Sequence, residues 1–125
     1  VRWIVDAMNV IGTRPDGWWK NRHGARLRLV EQLERWASPE GHQVTVVFEG
    51  PTSALIHSSA IRIHHAPRAM ANSADDEIVR MVRDNDRPSE INVVTSDATL
   101  ADRVRGLGAC VCPAARFRDL IDPHT

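Results

Sequence analysis

Short apolar runs alternate with helix-patterned segments along this chain, and that alternation leaves few folds open. Arg2–Asp6, Gln43–Phe48 and Ile91–Thr95 are rich in Val and Ile and read as strands buried in a sheet. Between them, apolar residues fall at helical spacing. Leu27, Leu29, Val30, Leu33 and Trp36 mark a helix over residues 24–36, ended by Pro39 and Gly41. Ile78, Val79 and Val82 mark another over 74–83, and residues 98–107 form a third that Gly108 stops. Weaker signals predict a third strand at Ile61–His64 near a sheet edge, a short fifth strand at 109–112 and a last helical turn at 117–121. Residues 7–21 read as a long connection with a turn at Arg14-Pro15-Asp16-Gly17. Strands separated by helices predict a mostly parallel sheet with right-handed crossovers, covered on both faces. The expected fold is a three-layer α/β/α sandwich, a single domain over residues 1–125.

Acidic residues recur where the apolar runs break off. Asp6 closes the first run, Glu49 the second, and Asp97 follows Val93-Val94-Thr95-Ser96. Asp75 and Asp76 open a helix, and Asp102 lies further along the next one. In a parallel sheet the carboxyl ends of the strands share one edge, where α/β folds place ligands. Two carboxylates about 5 Å apart repel by about 3 kcal/mol at an effective dielectric of about 20. A divalent cation relieves such crowding, and Mg2+ or Mn2+ prefers oxygen ligands of this kind.

Each acid also has a purely structural explanation. Asp6 can serve the turn after its strand, yet Ile4, Val5, Ala7 and Met8 surround it with apolar groups, so its carboxylate needs a partner. Asn9 is a neutral polar group at the same edge, and alone it reads as a turn residue. Ser73 with Asp76 resembles a capping box, and acids in a first turn suit the helix dipole. Asp75, however, shares the stripe of Ile78 and Val79. Asp97 can cap its helix, although Thr95 and Ser96 cap equally well. Asp102 can pair with Arg103 or Arg105, and Glu49 can belong to the turn before Gly50-Pro51.

The long connection carries Arg14, Trp18, Trp19, Lys20, Arg22 and Arg26. Beside a metal site, such cations hold phosphates and a tryptophan stacks on an unpaired base. The competing reading tucks a tryptophan into the core and leaves the cations in water. Arg68 and Arg116 are further phosphate contacts on the same reasoning. The histidines make no metal-binding spacing, and no phosphate-binding glycine loop or Gly-x-Ser-x-Gly turn is present. P-loop hydrolysis, dinucleotide redox chemistry and serine hydrolysis are thereby disfavoured. A phosphoacceptor receiver domain also groups acids at strand ends, but it needs a late lysine, and Lys20 comes early.

Basic and acidic residues balance at 16 each, so net charge says nothing of partners. No stretch has the ~20 apolar residues of a membrane helix. The first strand-like run starts almost at once, so no signal peptide is expected. Cys110 and Cys112 would point to opposite faces of a strand, which predicts buried free thiols and fits a reducing cytoplasm.

Together these segments carry a resemblance. Ile4-Val5-Asp6-Ala7-Met8-Asn9-Val10 resembles the Asp-x-x-Asn opening of NYN domains, a branch of the PIN-like nucleases. Val46-Val47-Phe48-Glu49-Gly50 is similar to their second strand, which often ends Phe-Asp-Gly. Ser73-Ala74-Asp75-Asp76-Glu77-Ile78 and Val93-Val94-Thr95-Ser96-Asp97 resemble their Ala-Asp-Asp and Thr-Ser-Asp segments. The subgroup it resembles is the YacP-like NYN domains, over nearly the whole chain. The resemblance implies a PIN-like fold and a ribonuclease site that uses Mg2+ or Mn2+ on single-stranded RNA. It carries catalytic roles to Asp6, Asn9, Asp75, Asp76 and Asp97, and metal ligation to those aspartates and Asp102. Glu49 stands where relatives more often have aspartate. With a single short domain, the resemblance implies substrate choice through a partner such as the ribosome. The alternative is an NYN-like module that binds RNA without cutting it.

Overall fold

The computed structural model describes residues 2–13, 17, 20–49, 58–66 and 73–122. Strands β1 (Arg2–Asp6), β2 (Gln43–Phe48), β3 (Arg62–His65), β4 (Ile91–Val94) and β5 (Cys110–Cys112) form a five-stranded sheet in the order β3-β2-β1-β4-β5. Every pairing is parallel. Helix α1 (Ala7–Ile11) continues directly from β1, and α2 (Arg22–Ala37) leads on to β2. Helix α3 (Ser73–Arg83) connects β3 to β4, α4 (Ala98–Gly106) connects β4 to β5, and α5 (Ala114–Ile121) follows β5. The chain therefore builds outward from β1 to β3, then returns to lay β4 on the other side of β1. That reversal opens a crevice at the carboxyl ends of β1 and β4.

Alternating side chains divide the core into two layers. Val5, Val44, Val46, Phe48 and Val94 face α1, α2 and α5. Ile4, Val47, Ile91 and Val93 face α3 and α4. On α3, Ala74, Ile78 and Val82 recur at four-residue intervals and are fully buried. Burial of Ile78 and of Val82 contributes about 1.5–3 kcal/mol each. Trp3, Trp36 and Phe117 pack ring against ring at centroid distances of 5.2 to 5.4 Å and join β1, α2 and α5. Gly108, at φ 100, takes the left-handed conformation that releases the chain from α4 into β5. Among the described residues, no helix is long and apolar enough to cross a membrane.

Three local expectations need correction. Residues 7–21 are not connection throughout, because Ala7–Ile11 forms α1 and buries Ala7, Val10 and Ile11. Five residues are too few for helical periodicity to register. The last helix starts at Ala114 rather than Phe117, since the Ser96 hydroxyl accepts the Ala114 N–H and replaces the side-chain cap that Pro113 lacks. The cysteines are free, but Cys110 is exposed and Cys112 only partly buried, because the short β5 is an edge strand. Arg14, Pro15 and Asp16 of the predicted turn lie outside the described residues, while Gly17 has the positive φ of 74 that a turn uses.

Candidate active site

Asp6 lies at the centre of the carboxyl edge and is 2% exposed. It occupies the N-cap position of α1, yet its side chain makes no capping bond. Instead, Oδ2 accepts a hydrogen bond from Asn9 Nδ2 at 2.6 Å and another from Thr95 Oγ1 at 3.0 Å. The sheet register explains the second bond. Val5 pairs with Val94, so Asp6 and Thr95 emerge side by side on one face. The Asn9 amide oxygen in turn accepts the Ser96 N–H at 3.2 Å, which ties α1 to the end of β4. Among the described residues no hydrogen bond reaches Asp6 Oδ1. Burial pushes the Asp6 carboxyl up to about 7; Thr95 and Asn9 pull it down, and Asp75 and Glu49 push it further up.

Asp75 stands in the first turn of α3, half-buried. Burial raises its pKa, as do Asp97, Glu49 and Asp76, while Arg103 lowers it. Asp97 caps α4 by accepting the Leu100 N–H on Oδ1 at 3.1 Å, and its own N–H donates to Thr95 Oγ1 at 3.1 Å. The structural role foreseen for Asp97 is thus realised, and among the described residues no hydrogen bond reaches its Oδ2. Thr95 and Ser96, its rivals as caps, serve Asp6 and the start of α5 instead. Glu49 leaves β2 two residues after Val47, the register partner of Asp6, and so shares its face. Asp6, Glu49, Asp75 and Asp97 therefore form one electrostatically coupled acidic group.

The remaining acids are engaged elsewhere. Asp76 accepts from Arg103 at 3.0 Å on the exposed side of α3. Asp102 is exposed on α4 and lies 3.8 Å from Arg105. Glu77 turns inward to Arg80 and to His64 Nε2 at 2.9 Å; the Arg80 bond chiefly holds its carboxyl below the usual range. The side chain of Ser73, the other half of the expected capping box, lies outside the described residues.

The donor chemistry fits a hard divalent cation. The coupled groups offer only oxygen, two of them have raised pKa values, and Asp6 has no cationic partner among the described residues. No three His, Cys, Asp or Glu side chains among the described residues are already grouped to hold an ion. The acids surround the edge without forming a closed ligand set.

Of the residues expected to bind RNA, Lys20, Arg22 and Arg116 are exposed. Lys20 and Arg22 flank the start of α2, and Arg116 sits in the first turns of α5. Arg14, Trp18, Trp19 and Arg68 lie outside the described residues. Sequence reasoning gave Thr95 no role beyond capping and placed Glu49 at the shared edge without assigning it ligation. Both become site residues through register, a cross-strand property that no local window displays.

Known proteins bear on this geometry in three ways. A search of curated proteins gives no match. Rae1 (YacP) from Bacillus subtilis has a similar crystal structure, with a TM-score of 0.82 at 23% identity over 97% of this chain and 73% of that one. A tryptophan-to-leucine mutant of the same protein gives a TM-score of 0.79 at 25% identity, covering 97% of this chain and 74% of that one. The YacP-like NYN domain family matches residues 3–124, so the chain belongs to that family of PIN-like nucleases.

Proposed function

We propose that this protein is a divalent-metal-dependent endoribonuclease that cuts single-stranded RNA. Family membership supports RNA nuclease function in general. The observation that carries the finer reading is the buried Asp6 carboxylate, crowded by Asp75 and Glu49 and matched by no cation among the described residues. Asp6, Asp75 and Asp97 would hold Mg2+ or Mn2+, with Asp76 and Glu49 acting from further out. When bound, the cation lowers the pKa of a water and offsets charge on the leaving oxygen.

The chain's own residues prepare that site. Asn9 and Thr95 both bond Oδ2 of Asp6 and so fix its plane, leaving Oδ1 for the ligand. Thr95 also receives the Asp97 N–H, so one hydroxyl sets the spacing of two carboxylates. The N-termini of α3 and α4 point at the same edge and favour negative charge there. Lys20 and Arg22 grip the RNA backbone beside the edge. The cytoplasm is the proposed compartment, with the ribosome a partner that supplies substrate choice.

The second reading, an RNA-binding module without activity, draws on the absence of a closed ligand set among the described residues. Incubation with a mixed RNA pool in manganese, with and without chelator, separates the two. The nuclease reading expects fragments that vanish with chelator and with Asp6→Asn, while binding survives. Intact RNA under every condition would leave the binding module.

A further inference from the structure

Phe48, the last residue of β2, carries two nitrogen-bearing groups against its ring. The Arg26 guanidinium carbon lies 5.7 Å from the ring centroid. The His65 ring stacks at 5.4 Å with an interplanar angle of 23°. His65 is the register partner of Phe48, so both project to one face of the sheet. Arg26 heads the α2 stripe that continues through Val30, Leu33 and Ala37, and so points toward the sheet rather than away from it.

The pair has more donors than acceptors. Arg26 Nε and both ring nitrogens of His65 are buried without a hydrogen-bond partner. A buried polar group left unpaired is destabilising. Arg26 supplies the positive charge of the pair, and His65 is kept in its neutral form. Burial, then the charges of Arg26 and His64, hold His65 below the usual histidine range. Among the described residues no carboxylate bonds Arg26. Surplus donors and positive charge without an acceptor are the requirements that a phosphate completes. Both side chains are only partly buried, although the three unpaired nitrogens are themselves covered, so an anion reaches them as the side chains turn outward at the edge.

Their position relates this spot to the acids. Phe48 precedes Glu49, which acts on both Asp6 and Asp75. The acids lie on the face covered by α3 and α4, whereas Arg26, Phe48 and His65 lie on the α2 face of the same edge. One edge thus separates an acidic strip from a cationic one. We infer that Arg26 and His65 form a phosphate subsite, which holds a backbone phosphate of the RNA strand adjacent to the one cut at the acidic group. This inference rests on the nuclease reading and adds to it the path of the strand across the sheet edge.

The test is binding of a short single-stranded RNA in chelator, which stops cleavage. Wild type and Arg26→Gln are compared on oligonucleotides that each carry one neutral methylphosphonate linkage. Arg26→Gln should weaken binding of the unmodified RNA about tenfold and reduce the salt slope by about 0.7. Its penalty should vanish on the oligonucleotide whose neutral linkage is the contacted one. Wild-type affinity in Arg26→Gln, or an equal penalty at every linkage, overturns the subsite. If Arg26→Gln fails to fold, the linkage series on wild type decides: one linkage should stand out, and a uniform response overturns the proposal. Cleavage in manganese, measured alongside, tests the nuclease reading separately. RNA cutting that persists while Arg26→Gln binds normally removes only the subsite.

Discussion

Thr95 and Asp6 stand 89 residues apart in sequence, and the Thr95 hydroxyl donates to Asp6 Oδ2 at 3.0 Å in the buried floor of the crevice. The Thr95 hydroxyl oxygen also accepts the Asp97 N–H. A threonine in a strand is ordinarily there for its shape. This one sets the position of a buried carboxylate and links it to a second.

Thr95→Val keeps the shape and removes the hydroxyl. Of the two bonds that pull the Asp6 pKa down, the Thr95 bond is the stronger, so its loss raises that pKa further. Cleavage at neutral pH should fall about tenfold, and the acid limb of the pH–rate profile should move to higher pH. Stability should drop by about 1–2 kcal/mol, as for a lost buried hydrogen bond. An unmoved acid limb would deny Thr95 this role.

Asp6 should contribute a loss of stability toward alkaline pH in the metal-free protein. Its folded-state pKa, about 7, exceeds the ordinary value of 3.8. The folded form therefore holds the proton more tightly. The contribution is fully present below the ordinary value and is lost as pH rises through 7. The total is on the order of 4 kcal/mol. Urea unfolding in chelator should show wild type weakening from pH 5 to pH 8, with a much flatter profile in Asp6→Asn. Parallel profiles would contradict the burial argument.

Metal binding should follow the same titration in the opposite sense. A cation at Asp6 displaces its proton, so Mn2+ affinity should rise nearly tenfold per pH unit up to about 7 and level off above it. At a hundred times its dissociation constant, Mn2+ should stabilise the fold by about 2.7 kcal/mol. Thermal shift measurements at several pH values read both effects. Equal stabilisation of Asp6→Asn would place the ion elsewhere.

Neighbouring Asp75 and Asp76 should respond unequally. Asp75 belongs to the coupled acidic group, whereas Asp76 is 74% exposed and paired with Arg103. Asp75→Asn should cost at least a hundredfold in cleavage, and Asp76→Asn less than about fivefold. These are order-of-magnitude expectations for a metal ligand and for an exposed ion pair. Arg103→Met should raise the Asp75 pKa, because Arg103 is the charge that lowers it. Equal losses in the two aspartate variants would assign ligation to both.

Much of this was legible in the chain. Val and Ile in short runs fixed β1 and β2 to the residue, since burial on both faces demands apolar side chains throughout. Asp6 was conspicuous because its flanks are apolar, and it is the most buried of the acids in the coupled group. What stayed hidden depends on pairing between distant segments. Arg103 claims Asp76 across 27 residues. Glu49 was expected at the shared edge, but only the register of Val47 with Asp6 puts it on the same face as Asp6. Asp97 reads equally well as cap or ligand in sequence, and it keeps one oxygen for each possibility.

The placement of β1 between β2 and β4 has a consequence for the order in which this machinery matures. A polypeptide emerging from its own synthesis can dock β2 on β1 early. Asn9 is at hand from the start, but Thr95, the other partner of Asp6, and Asp97 beyond it arrive only with β4, after β1, β2 and β3 have been made. Until that segment slots in, the acidic edge of a nascent chain stays incomplete.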